Sequence, residues 1–172
     1  MTFLLSFDSY GVAFCLTKKI GYNDPITLLI MTTIEKNATG AGRKILVVED
    51  DPFLSDIYHT KLKQAGFAVD LAMTGEECME KLSGGEYDLI VLDIVLPQLD
   101  GWEILARVGK MRREKPDSYI NRLKIIILSN LGQKEEIKKG LDLGADGFMI
   151  KAHFTPSEVA AEINKALEAS KQ

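Results

Sequence analysis

From Lys44 onward the chain alternates short apolar runs with longer amphipathic stretches. The first run, Lys44 to Val48 (KILVV), ends in the acidic Glu49-Asp50-Asp51. Leu54, Ile57, Tyr58, Leu62 and Ala65 then recur at helical spacing, which predicts a helix with one apolar face. Pro52 suits its first turn, where a missing N–H costs nothing, and Gly66 ends it. Phe67 to Ala72 reads as a second strand. Thr74 and Glu77 form a capping box for a second helix, which carries Met79 and Leu82 inward and stops at Gly84-Gly85. Tyr87 to Leu92 (YDLIVL) is a continuous apolar run ending at Asp93, as expected of a strand buried on both faces. Gly101-Trp102 opens a third helix with Leu105, Val108 and Met111 inside. Lys124 to Leu128 is a fourth strand, and Ile137 and Leu141 mark a fourth helix closed by Gly144. Gly147 to Ile150 is a fifth strand. Thr155, Pro156 and Glu158 then start a last helix with Val159, Ile163 and Leu167 as its inner stripe. This alternation predicts a doubly wound α/β fold: a five-stranded parallel sheet between two helical layers, with right-handed crossovers.

Composition changes the picture at the front of the chain. Of 172 residues, 21 are Lys or Arg and 25 are Asp or Glu, for a net charge of −4. Residues 1–42 balance Lys18, Lys19 and Lys36 against Asp8, Asp24 and Glu35, so the whole excess lies in residues 43–172. Two units are therefore expected: an N-terminal extension over 1–42 and a domain over 43–172. The extension has weak periodicity and no apolar run of the roughly 18–20 residues that a bilayer span needs. Asp8 interrupts it too early, and Lys18-Lys19 come too late, for a secretory signal. It reads as disordered or as a start-site artefact, with Met31 as the expected true start and Asn37 to Gly42 as a linker. The acidic balance argues against a nucleic-acid-binding body. With only Cys15 and Cys78, a disulfide framework and a four-cysteine zinc site are excluded.

Open α/β sheets place ligand sites at the carboxyl ends of their strands. The polar residues there are Glu49, Asp50, Asp51, Asp93, Ser129, Asn130 and Lys151. Clustered carboxylates repel one another unless a cation joins them, and a hard divalent ion such as Mg²⁺ suits oxygen ligands. A carboxylate beside such an ion, an ammonium and a hydroxyl is equipped to accept a phosphoryl group. Asp51 precedes Pro52 and suits a helix cap, although it could also bind metal. His59 and His153 read as surface residues, Cys78 as helix packing, and Trp102 as packing close to the active face.

Residues 43–169 resemble a response-regulator receiver domain of two-component signalling. The matching segments are ILVVEDD (45–51), DLIVLDIVLPQLDG (88–101), IILSN (126–130), LGADGFMIKA (143–152) and FTPSEV (154–159). The resemblance implies a flavodoxin-like strand order, 2-1-3-4-5. It also implies that Asp93 is the phosphoacceptor, with Lys151 and Ser129 holding phosphoryl oxygens and the Asn130 N–H nearby. Mg²⁺ or Mn²⁺ would be held by Asp50, Asp93, the Val95 backbone carbonyl and, through water, Glu49. Ser129 and Phe148 would form the switch: Ser129 moves toward the phosphate, Phe148 fills the space, and a surface of helix 4, strand 5 and helix 5 responds.

The implied partners are a sensor histidine kinase or histidine phosphotransfer protein and a downstream protein. No direct DNA binding and no membrane association are expected. The expected state is a cytoplasmic monomer or a weak, phosphorylation-dependent dimer. Only Ser170-Lys171-Gln172 follow the last helix, so a stand-alone switch is expected, not an enzyme beyond self-phosphorylation and self-dephosphorylation. A receiver-like binding module that ignores phosphorylation is the alternative. A haloacid-dehalogenase-like phosphatase would want Asp where Val95 stands. Two departures from the family stand out. Ala152 replaces the proline that usually follows the lysine, and a cis bond to a non-proline residue costs about 2.5–4 kcal/mol. Met111 to Leu123 is longer than usual and reads as a solvated loop, or a longer helix and a turn, with a plain insertion favoured over a partner surface. Val95 and Leu131 are apolar where the family tunes self-dephosphorylation, so a phosphoryl group lasting minutes or more is expected.

Overall fold

The computed structural model describes residues 5–7, 13–15 and 42–169. The chain divides into two units, Met1–Thr39 and Gly40–Gln172. In the first, β1 (Leu5–Phe7) pairs antiparallel with β2 (Ala13–Cys15). The expected start at Met31 and linker at 37–42 fall almost wholly outside the described residues, and this pair does not bear on where translation starts.

The second unit runs β3 (Lys44–Val48), α1 (Pro52–Gln64), β4 (Ala68–Ala72), α2 (Gly75–Gly84) and β5 (Leu89–Leu92). It continues with α3 (Gly101–Glu114), β6 (Lys124–Ser129), α4 (Lys134–Asp142), β7 (Gly147–Ile150) and α5 (Pro156–Glu168). The five strands lie parallel in the order β4-β3-β5-β6-β7. Numbered within the sheet this is 2-1-3-4-5, the flavodoxin-like order.

Side-chain alternation along the strands builds a core on each face. Leu46, Val48, Ile90, Leu92 and Ile127 point one way, onto Cys78 and Leu82 of α2 and Ile104, Leu105 and Val108 of α3. Ile45, Val47, Val91, Ile126 and Leu128 point the other way, onto Tyr58 and Leu62 of α1 and Val159 and Ile163 of α5. Every interior strand is thus buried on both faces, which explains its unbroken apolar run.

The helix starts follow local chemistry. Asp51 caps α1 by accepting from the Phe53 and Leu54 N–H groups at 2.8 and 3.2 Å, so it serves as the cap rather than as part of the acidic cluster. Thr155 and Glu158 form the capping box of α5. Gly66 and Gly144 follow α1 and α4 with φ of 91° and 97°, the left-handed conformation that glycine adopts without a Cβ clash.

Three local details follow. After α3, which runs on to Glu114, comes a 3-10 turn over Tyr119–Asn121, the longer helix and turn that the sequence allowed rather than a solvated loop: Ile120 and Leu123 are each 1% exposed, and the Tyr119 hydroxyl donates to the Leu82 carbonyl. Arg112 holds this segment by donating to the carbonyls of Ile120, Leu123 and Gly144 at 3.1, 2.6 and 3.2 Å. In α4, Leu141 faces outward at 48% exposure, and Gly140 is the residue buried against the sheet. The Lys151–Ala152 bond is trans, and Lys151–His153 form a single 3-10 turn.

Candidate phosphoacceptor site

Four strand ends converge on one point. β3 ends just before Glu49 and Asp50, β5 just before Asp93, β6 at Ser129 and β7 just before Lys151. Parallel pairing of β3, β5, β6 and β7 brings residues distant in sequence to the same edge of the sheet.

Asp93 is the centre. Its Oδ1 accepts from the backbone N–H of Ile94 at 2.6 Å and Val95 at 3.2 Å, and from the Ser129 hydroxyl at 2.9 Å. Its Oδ2 accepts from Lys151 Nζ at 2.6 Å. The same ammonium donates to Glu49 Oε2, also at 2.6 Å. Side-chain exposure is only 8% for Lys151, 7% for Asp93 and 4% for Glu49, so these charges meet largely out of water. Burial draws Lys151 down, but its bonds to Asp93 and Glu49 outweigh that and hold it above the ordinary lysine value. Burial pushes Glu49 above the ordinary carboxylate value against the pull of Lys151, and the charges of Asp93 and Asp50 push the same way.

Carboxylate oxygens of Glu49, Asp50 and Asp93 lie within 4.8 Å of one another, with Asp50 exposed at the mouth. Three carboxylates against one ammonium leave two negative charges unbalanced. An all-oxygen donor set with that charge fits a hard divalent cation such as Mg²⁺.

The sequence-derived candidates Glu49, Asp50, Asp93, Ser129 and Lys151 are therefore brought together. Val95 follows in the adjoining loop with its side chain 59% exposed. The Ser129 hydroxyl already reaches Asp93, because the carboxylate itself is its acceptor, so the inward travel expected of it is not needed to make this contact. Phe148 is half-buried; a Cβ added at Gly140 of α4 would lie 3.2 Å from its ring. His153 is exposed and His59 half-buried, and neither belongs to the acidic group.

Sequence reasoning missed two neighbours. Tyr58 is read above only as core. Burial raises its hydroxyl pKa, with Lys151 lowering it and Glu49 and Asp93 raising it, so it lies within the electrostatic reach of the site. Trp102, at the start of α3, takes the Lys139 ammonium of α4 over its ring at 4.2 Å, a cation–π contact no local pattern announces.

The model of the response regulator receiver domain matches residues 45–164. The chain belongs to the response-regulator receiver family. This receiver is 36% identical over 124 residues to the transcriptional regulatory protein CusR of Escherichia coli K12, covering 72% of this chain and 51% of CusR. The chain thus spans about half the length of that curated relative. Among solved structures, the receiver domain of Francisella response regulator 1452 is 30% identical with a TM-score of 0.64, over 75% of this chain and 99% of that one. TrrA of Thermotoga maritima, solved in complex with Mg²⁺-BeF, is 31% identical with a TM-score of 0.59, over 72% of this chain and 98% of its own. Among the described residues of this receiver, no helix is long and apolar enough to cross a membrane.

Proposed function

We propose that this receiver accepts a phosphoryl group on Asp93 from the phosphohistidine of a sensor kinase or phosphotransfer protein. The observation that carries the reading is the placement of Asp93 between the Lys151 ammonium at 2.6 Å and the Ser129 hydroxyl at 2.9 Å. A carboxylate oxygen attacks phosphorus, the P–N bond to the donor imidazole breaks, and an aspartyl phosphate forms. Oδ1 is fixed by three donors and Oδ2 by one, so Oδ2 is the freer to react. Lys151 then follows charge onto a phosphoryl oxygen, and Ser129 donates to another. Asp50, Asp93, the Val95 carbonyl and, through water, Glu49 would hold Mg²⁺, which when bound neutralises charge on the phosphoryl oxygens.

Ser129 and Phe148 couple this event to α4, β7 and α5, and the signal leaves through protein contacts rather than DNA contacts of this domain. The chemistry stops at self-phosphorylation and self-dephosphorylation. Val95 and Leu131 offer no side-chain hydrogen bond to a hydrolytic water, so the phosphoryl group persists for minutes or more.

Incubation with acetyl phosphate or phosphoramidate and Mg²⁺, followed by intact-mass measurement, tests this. One added phosphoryl group is expected, absent in Asp93→Ala and without metal. No gain with either donor would point to a phosphorylation-independent module, and many phosphates released per protein to a phosphatase.

A further inference from the structure

At the end of the sheet opposite Asp93 lies a second cavity, of about 460 Å³. Arg43, Arg112, Arg122 and Lys124 line it, with two carboxylates, Asp88 and Asp146. We propose that this cavity binds a small multivalent phosphate anion through its phosphate oxygens.

The case begins with charge. Residues 107–124 carry seven basic and two acidic side chains, in a chain whose net charge is −4. The excess is thus concentrated on the end of α3, the segment after it and the first residue of β6. Hydrogen bonding gives the second argument. Both carboxylates are already committed. Asp88 accepts from Arg43 at 3.3 Å and from the Lys44 backbone N–H at 2.7 Å. Asp146 accepts from Lys124 at 2.8 Å and from the Ile125 N–H at 2.9 Å.

Arg112 meets three backbone carbonyls and no carboxylate. The Arg122 side chain makes no hydrogen bond or ion pair among the described residues; its backbone N–H donates to the Tyr119 carbonyl at 2.8 Å. The cavity therefore carries two net positive charges: Arg43 and Lys124 balance Asp88 and Asp146, while Arg112 and Arg122 face no carboxylate. Guanidinium forks in a concave, partly desolvated setting match the oxygens of a phosphate, where such charge-assisted bonds are strongest. No aromatic ring lines the cavity, so nothing there would stack on a nucleobase. The volume exceeds the needs of a single phosphate and suits a chain of two or three.

Calorimetric titration of the full chain, without divalent metal and at low salt, tests the proposal. Tripolyphosphate is expected to bind one to one. ATP should match it, because the phosphates are what is recognised, and single phosphate should bind at least tenfold more weakly. Arg122→Gln should weaken tripolyphosphate about tenfold, the worth of one charge-assisted contact, while leaving the melting temperature and Asp93 phosphorylation unchanged. Arg43→Gln should weaken it too, whereas Lys151→Gln, at the other end of the sheet, should not. Absence of binding at millimolar tripolyphosphate would overturn the proposal, as would affinity unchanged in Arg122→Gln or binding of ATP alone. A short DNA duplex binding more tightly than tripolyphosphate, and losing affinity with the same variant, would overturn it in favour of a nucleic-acid surface.

Discussion

Replacing Lys151 with methionine removes the ammonium while keeping an unbranched chain of similar length. At 2.6 Å from both Glu49 and Asp93, each ion pair has a Coulomb energy of about 6 kcal/mol at an effective dielectric of about 20. Desolvation of three buried groups cancels much of that, but the cancellation fails when one partner is taken away. Two carboxylates then remain buried beside Asp50 with nothing to offset them, and breaking such a pair costs about 3–5 kcal/mol. Urea unfolding with chelator present should show that loss at mildly alkaline pH. The loss should shrink at mildly acidic pH. Glu49 already sits above the ordinary carboxylate value because of burial, and without Lys151 it rises further. A carboxyl group whose folded value is raised gains stability as pH falls through that value. Mg²⁺ should narrow the gap as well, since it supplies the missing positive charge to the folded state alone. A loss under about 1 kcal/mol in chelator, or one indifferent to both pH and Mg²⁺, would refute this account of the site. In the unmodified protein Lys151 acts with the same sign in a higher pH range: it is held above its ordinary value, so its contribution is complete below that value and fades as pH rises through the folded one.

Other consequences can be checked on the same material. A Cβ at Gly101 would lie 2.5 Å from the Asp93 carbonyl oxygen and 2.7 Å from Ile94 Cα. Because both are backbone atoms, Gly101→Ala should cost about 2–3 kcal/mol in urea unfolding and slow phosphorylation. Gly140→Ala meets only side-chain atoms, Ile127 Cδ1 at 2.6 Å and Phe148 Cδ2 at 3.2 Å. With roughly 1 kcal/mol of helix propensity in its favour it should cost less than the Gly101 change, and the reverse order would sink the argument. Arg112→Met leaves three carbonyls without their donor and should destabilise by about 2–4 kcal/mol; an unchanged urea midpoint would contradict the anchoring role. Cys78 is fully buried, and burial pushes its thiol up to about 12. In a Cys15→Ser background it should react with a thiol reagent only on unfolding, and prompt labelling in native buffer would show otherwise.

The parallel sheet and the strand-end position of the candidate site were legible because each rests on local signals repeated in register, whereas the strand order came with the family resemblance. Unbroken apolar runs announce strands buried on two faces, and the polar residue closing each run falls at the carboxyl edge. Asp51 was legible as a cap because its place before Pro52 is a local fact. What escaped the sequence depends on distant partners. Ile120 and Leu123 look like ordinary apolar residues in a charged loop until Arg112 is seen binding the carbonyls that would otherwise hold them in water. Leu141 lies at helical spacing from Ile137, yet the inner position belongs to Gly140. Only a residue without a side chain fits between α4 and the Ile127 and Phe148 side chains, and glycine adds nothing to an apolar period. The nearness of Tyr58 to Lys151 and of Lys139 to Trp102 comes from how separate helices pack, which no window of sequence contains.

The glycine underside of α4 has a consequence for how this domain breathes. Among its nine residues only Gly140 is buried, and the Lys138–Asp142 pair on its surface holds little. The contact of Lys139 with Trp102 adds one further tie. Amide protons of α4 should therefore exchange with solvent through a local opening far cheaper than global unfolding. Those of β3, β5 and β6 should wait for the whole sheet to come apart. The helix proposed to respond to Asp93 should thus open as a unit of its own, while the carboxylate edge beneath it stays in place.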